Sequence, residues 1–173
     1  MTKAKFVILK DLGHIEVPAD YNHTTALASF KAANRKEFLY YADKITDSNF
    51  PRPSKILKPG DRLRVFVFGQ DVARRTTTIE RMDFLREQRR NVLVGAQGAA
   101  LVFEQKRIDL PKDKWHTSFD EADRLYCDAR GVLEVSILDA SWRGSFGFRL
   151  ASLHQYWYRI DAFLCFCELP SDA

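Results

Sequence analysis

Along this chain the apolar positions change period several times, and each change predicts an element. Arg62 to Gly69 alternates, with Leu63, Val65 and Val67 on one face and Phe66 and Phe68 on the other. Both faces are apolar beyond Arg64, which predicts a strand covered on two sides. Thr77-Thr78-Ile79-Glu80 carries the spacing of a capping box, a threonine whose hydroxyl and a glutamate whose carboxylate bond each other's backbone N–H. The helix it opens is expected to run to about Arg90, with Ile79, Met82 and Leu85 turned inward beside Phe84. Arg81, Arg86, Glu87 and Arg90 are then expected to face water. Val92-Leu93-Val94 reads as a short buried strand that turns at Gly95-Ala96-Gln97-Gly98 into a second element. The apolar spacing after Gly98 is helical, and Leu110-Pro111 stops the helix because the residue before proline is pushed out of the α region. A hairpin turn at Gly95–Gly98 is the alternative.

Upstream, residues 4–9 read as a strand, and His23 to Lys36 as a helix with Leu27 and Phe30 inward. Phe38 to Tyr41 reads as a strand, with an extension of that helix as the alternative. Three prolines between 46 and 60 mark a loop closed by a Pro-Gly turn. Downstream, Trp115–Phe119, Val132–Leu138, Ser145–Ala151 and Tyr158–Glu168 are predicted strands. A β-α-β-α order followed by a run of strands predicts an α+β fold: a mixed or antiparallel sheet against two or three helices, with a β-rich C-terminal third. At 173 residues the chain is expected to be a single domain, 1–173, with residues 1–45 as a possible N-terminal appendage. Hydrophobic residues at 46% suffice for a core without staples.

Composition narrows the setting. The amino terminus has four consecutive strongly apolar residues, Phe6 to Leu9, fewer than the roughly 7–15 of a signal peptide. No membrane-spanning segment is expected. Three cysteines fit a reducing compartment, so cytoplasmic residence is expected. Cys165 and Cys167 alternate on one strand face, and their Cα atoms should lie about 6.5–7 Å apart, at the upper edge of disulfide geometry.

The net charge of +4 is unevenly spread. Residues 1–75 hold fourteen basic against eight acidic side chains, and residues 118–173 hold five against nine. Such a division suits an anionic partner, nucleic acid or an acidic protein surface, or a head-to-tail homo-oligomer.

Four arrangements bear on chemistry. Gly95, Gln97 and Gly98 form a bare G-x-x-G that lacks the Lys-Ser/Thr of a P-loop and the third glycine of a dinucleotide fingerprint. At a helix N-terminus it is a phosphate cradle or a tight corner. The aromatic cluster Trp142, Phe146, Phe148, Tyr156, Trp157, Tyr158, Phe163 and Phe166 is interleaved with Arg143, Arg149 and Arg159. Most of these rings fit strand positions facing a core. Tyr156-Trp157-Tyr158 does not, because three consecutive rings cannot all point inward from a strand, and this segment is a candidate for stacking. Cys165 and Cys167 with Cys127 and a histidine lack zinc-knuckle spacing, so no metal is expected. His116, Ser118 and Asp120 can be drawn as a triad, but Ser118 and Glu121 suit a helix cap equally well.

The sequence therefore predicts a non-enzymatic, moderately basic binding module without cofactor. Arg74, Arg75, Arg86, Arg90, Tyr156, Trp157 and Tyr158 are its candidate contact residues. The alternative is a small enzyme or nucleotide-binding protein built on the Gly95–Gly98 turn.

Overall fold

A computed structural model describes residues 6–170. The elements in chain order are β1 (Phe6–Glu16), α1 (Ala26–Asn34), β2 (Phe38–Tyr41), β3 (Arg62–Gln70), α2 (Thr78–Glu87), β4 (Asn91–Val92), α3 (Gly95–Lys106), β5 (Lys114–Ser118), β6 (Tyr126–Cys127), β7 (Leu133–Ala140), β8 (Phe146–Ser152) and β9 (Asp161–Glu168). The fold is α+β: three helices on a nine-stranded mixed sheet, its strands ordered β1-β3-β9-β5-β7-β8-β2. β4 adds to β9 and β6 to β7. The pairs β2/β8 and β5/β9 are parallel and the remaining pairs antiparallel. No helix among the described residues is long and apolar enough to cross a membrane.

Strand alternation divides the sheet between two cores. Leu63, Val65 and Val67 of β3 and Ala162, Leu164 and Phe166 of β9 meet α1 and α3 on one face. Phe68, Phe163 and Cys165 meet Met82 and Leu85 of α2 on the other. β3 thus has apolar cover on both sides, as its sequence predicts. The capping box at the start of α2 is present, with Glu80 N donating to Thr77 Oγ1 at 3.2 Å and Thr77 N to Glu80 Oε2 at 2.8 Å.

Several expectations need correction. α2 ends at Glu87, short of Arg90, which sits in the left-handed region with φ 61°. The buried face of α2 is Arg81, Met82 and Leu85, whereas Ile79 is 71% exposed. The inward set is rotated because Arg81 finds polar acceptors for two of its three nitrogens and aromatic faces in the core, which apolar periodicity cannot register. α3 begins at Gly95, so the two glycines lie in its first turn, and the hairpin alternative does not occur. It ends at Lys106, before the proline stop. β1 runs on to Glu16; of the predicted strand 4–9, residues 4 and 5 lie outside the described residues. Ser118 caps no helix: its hydroxyl donates to the Gly95 carbonyl at 2.6 Å, and Glu121 precedes only a short 3-10 turn.

Candidate partner-binding surface

The segment Gln155–Ile160 joins β8 to β9, and its conformation is set by what lies beneath it. Trp157 is fully buried, edge-on to Phe119 with ring centroids 5.2 Å apart. Its indole N–H donates to Thr78 Oγ1 at 2.8 Å, and its backbone pairs with Thr76 through bonds of 2.8 and 2.9 Å. Under it lies the Arg81 guanidinium. Nε donates to Thr76 Oγ1 at 3.0 Å, and one terminal nitrogen donates to Gln70 Oε1 at 3.0 Å and the Tyr158 carbonyl at 3.3 Å. The same guanidinium lies 5.4 Å from the Trp157 ring and 5.1 Å from the Phe163 ring. Burial pulls the Arg81 pKa down to about 10, opposed by the Asp161 carboxylate.

With Trp157 turned inward, alternation sends its neighbours out. Tyr156 and Tyr158 are 46% and 52% exposed. The Arg75 guanidinium stands 3.7 Å from the Tyr156 ring centroid, a close cation–π contact. Arg74 is held by Glu80 at 2.7 Å. The structure thus brings together five of the residues predicted for contact: Arg75, Tyr156 and Tyr158 form the surface, Trp157 supports it, and Arg74 flanks it in an ion pair.

A second exposed group borders this one and was not singled out from sequence. Trp115, Asp139, Gly147 and Tyr40 lie side by side across β5, β7, β8 and β2. Gly147 leaves a gap in the row; a Cβ there would sit 3.1 Å from Arg149 Nε and 3.3 Å from Asp139 Cβ. Arg149 crosses that gap, donating to Asp139 Oδ2 at 3.0 Å, with its guanidinium 4.9 Å from the Tyr40 ring and 5.9 Å from the Trp115 ring. Trp115 N bonds the Ile160 carbonyl at 3.1 Å, and Lys114 Nζ bonds the Arg159 carbonyl at 2.6 Å, tying this group to the Tyr158 segment. Trp142, at the β7–β8 turn, is 67% exposed beneath Arg143 at 4.9 Å. The missed signal was combinatorial: only strand register makes neighbours of Tyr40, Trp115 and Arg149.

Other predicted residues lie elsewhere. Arg86 is paired to Asp83 and Glu121 at 3.0 and 2.9 Å. Arg90 lies beside the end of β9, its carbonyl accepting from Glu168 N. Several first-half cations are neutralised in place: Arg64 by Asp11, Lys31 by Asp43 and Lys55 by Glu168.

Gly95, Gln97 and Gly98 are buried. The anion beside this helix start is the chain's own: a Cβ on Gly95 would lie 3.1 Å from Asp120 Oδ2. Asp120 is buried and accepts from Ser54 N at 3.1 and 3.2 Å, from the Ser54 hydroxyl, and from Glu121 N at 2.8 Å. Desolvation outweighs these bonds and raises its pKa to about 6. His116 is also buried, with Nδ1 3.1 Å from the Leu138 carbonyl and a pKa lowered to about 4 by desolvation. His116, Ser118 and Asp120 therefore each bond a different partner, and no relay joins them. No group of three or more potential ligands places a metal among the described residues.

The Asp120 shift carries a pH dependence of definite sign. Its folded pKa of about 6 exceeds the unfolded value near 3.8, so the native state binds the extra proton. Stability from this group is full below pH 3.8 and is lost as pH rises to about 6. Asp120→Asn, which keeps an acceptor toward Ser54, is expected to gain stability relative to the wild-type protein above pH 6, by on the order of 1–3 kcal/mol. Urea unfolding of both proteins at pH 4 and pH 7 measures this; an equal difference at both values refutes it.

Comparison of the chain with protein-family models, curated proteins and solved structures found no significant match.

Proposed function

We propose that this protein is a non-enzymatic binding module of a reducing, cytoplasmic compartment that holds single-stranded nucleic acid on its arginine–aromatic surface. The observation that carries the reading is the recurrence of exposed rings with a guanidinium against them: Tyr156 with Arg75, Trp142 with Arg143, and Tyr40 and Trp115 with Arg149. A ring face accepts any base by stacking, and the adjacent guanidinium meets the phosphate that follows it. Arg75 and Arg143 have no acidic partner among the described residues, so their charge is available to a phosphate. The net charge of +4 favours the same class of partner. An acidic protein would satisfy the arginines but leave the rings without a reason to be exposed. The Gly95–Gly98 alternative finds no comparable support, since these residues are buried and a carboxylate, Asp120, already stands beside Gly95.

Fluorescence anisotropy with a labelled mixed-sequence single-stranded oligonucleotide tests this. Wild-type protein is expected to bind at low salt and to weaken steeply as salt rises. Arg75→Ala/Tyr156→Ala is expected to lower affinity about tenfold or more, on the basis of about 1–3 kcal/mol per stacked base. Lys58→Ala, remote in sequence from this surface, serves as the charge control. Absence of binding at low salt, or an equal loss in the control, overturns the reading.

A further inference from the structure

Apart from that surface, the end of β9 carries a pair of thiols. Cys165 and Cys167 point to the same side of the strand, and their sulfurs lie 3.7 Å apart. They are unequal. Cys165 is buried, 3.3 Å from Asn91 Oδ1, whereas Cys167 is partly exposed. Cys167 lines a shallow cleft of about 320 Å³ with Arg89, Arg90, Glu168 and Pro170. Arg64 stands beside it in register on β3, and Asn91 in register on β4. Arg64 is the charge that acts on the sulfur, while Arg89 and Arg90 line the cleft into which it opens, with Glu168 at the same rim. Glu168 is held by Lys55 at 2.9 Å, and Arg64 also pairs with Asp11. The hydrogen bond from Cys165 and the nearby Arg64 charge hold the Cys167 pKa below the usual thiol value, while Cys165 is driven up.

We propose that Cys167 is a thiol-modification site for anionic low-molecular-weight disulfides, with Arg89 and Arg90 taking the carboxylates and Cys165 donating its S–H to the Cys167 thiolate. In the step, the Cys167 thiolate attacks one sulfur of the disulfide. A protein–small-molecule S–S bond forms, the original S–S bond breaks, and the departing thiolate takes a proton from water. One disulfide is exchanged for another, so no external electron is needed. When Cys167 ionises, the Cys165 S–H turns to it, and Asn91 Oδ1 keeps its bond from Phe166 N at 3.3 Å.

Cys165 does not go on to displace the adduct. An extended strand holds residues i and i+2 about 6.5–7 Å apart at Cα, at the limit of disulfide geometry. Ladders fix this stretch on both sides, Cys165 and Cys167 against Phe66 and Arg64 of β3, and Cys167 against Asn91 of β4. Closing the pair requires breaking those ladders.

Cys127 supplies an internal comparison because it is exposed and also lies in a cleft with arginines, Arg52 and Arg124, but has Asp123 in that cleft and bonds the Asp128 carbonyl in place of a second thiol. The reduced protein is incubated at pH 7 with oxidised glutathione, and separately with cystamine, a cationic disulfide. Adducts are located and timed by intact-mass and peptide mass spectrometry. A single glutathione adduct is expected on Cys167, forming about 3–5-fold faster than on Cys127 despite its lower exposure. Relative to each reagent's rate with free cysteine, glutathione disulfide is expected to outpace cystamine at Cys167. Cys165→Ala is expected to slow the Cys167 reaction; the wild-type comparison stands even if that variant folds poorly. Faster modification of Cys127, equal reagent preference, or a Cys165–Cys167 disulfide in place of the adduct overturns the proposal.

Discussion

Arg81→Ala is expected to destabilise the protein by about 3 kcal/mol and to release the Tyr156–Tyr158 segment. Two contributions oppose each other. Ionised Arg81 is disfavoured by burial, as its pKa of about 10 records, and removing it relieves that cost. Against this stand three charge-assisted hydrogen bonds to Thr76, Gln70 and Tyr158, worth roughly 1.5–3 kcal/mol each. The void left between Trp157 and Phe163 adds about 2 kcal/mol or more. Bonds and packing together exceed the relief, so the net sign is destabilising. Arg81→Met separates them: it fills most of the space and carries no charge, and should cost distinctly less than alanine. Urea midpoints measure the stability. Trp157 emission should shift to the red in Arg81→Ala under native conditions if the segment comes loose. An alanine variant within about 0.5 kcal/mol of wild type, the scatter of ordinary surface changes, would show that Arg81 anchors nothing.

How far the sequence could lead to this site follows from the same residue. The strands β3, β5, β7, β8 and β9 were legible because period-two alternation is dictated locally by the pleat, and the capping box of α2 because both partners lie within four residues. The inward turn of Trp157 was half legible: crowding required at least one of the three rings to be exposed, but did not say which. Arg81 was misplaced because its burial depends on acceptors from residues 70, 76 and 158, which only the folded sheet assembles. The convergence of Arg75 with Tyr156 depends on the bridge between Thr76 and Trp157, a contact spanning about half the chain. The charge count misled in a related way. It placed the basic character in the first half, where several cations are paired, while a guanidinium–ring pair without an acidic partner among the described residues also arises at Arg143 in the acidic third.

The glycines of the first α3 turn illustrate how one motif has two physical explanations that a single substitution can separate. A Cβ on Gly98 would lie 2.2 Å from Val94 Cγ2 and 2.9 Å from Phe166 Cζ. Both neighbours are buried side chains of the α1–α3 core. Gly95 has φ +54°, a region costly for other residues, and it faces Asp120. Close packing therefore accounts for both glycines without a ligand. Gly98→Ala is expected to cost about 1–3 kcal/mol, overpacking outweighing the roughly 1 kcal/mol gained in helix propensity. Gly98→Val, which adds two more carbons at the point of contact, is expected to leave no cooperative unfolding transition at 37 °C. The cause is tested by coupling. Val94→Ala opens the space that the new methyl needs, so Gly98→Ala/Val94→Ala should be more stable than the sum of the single changes predicts, by about 1 kcal/mol. A folded Gly98→Val protein of near wild-type stability would remove the packing explanation and leave the phosphate cradle as the remaining reason for that glycine.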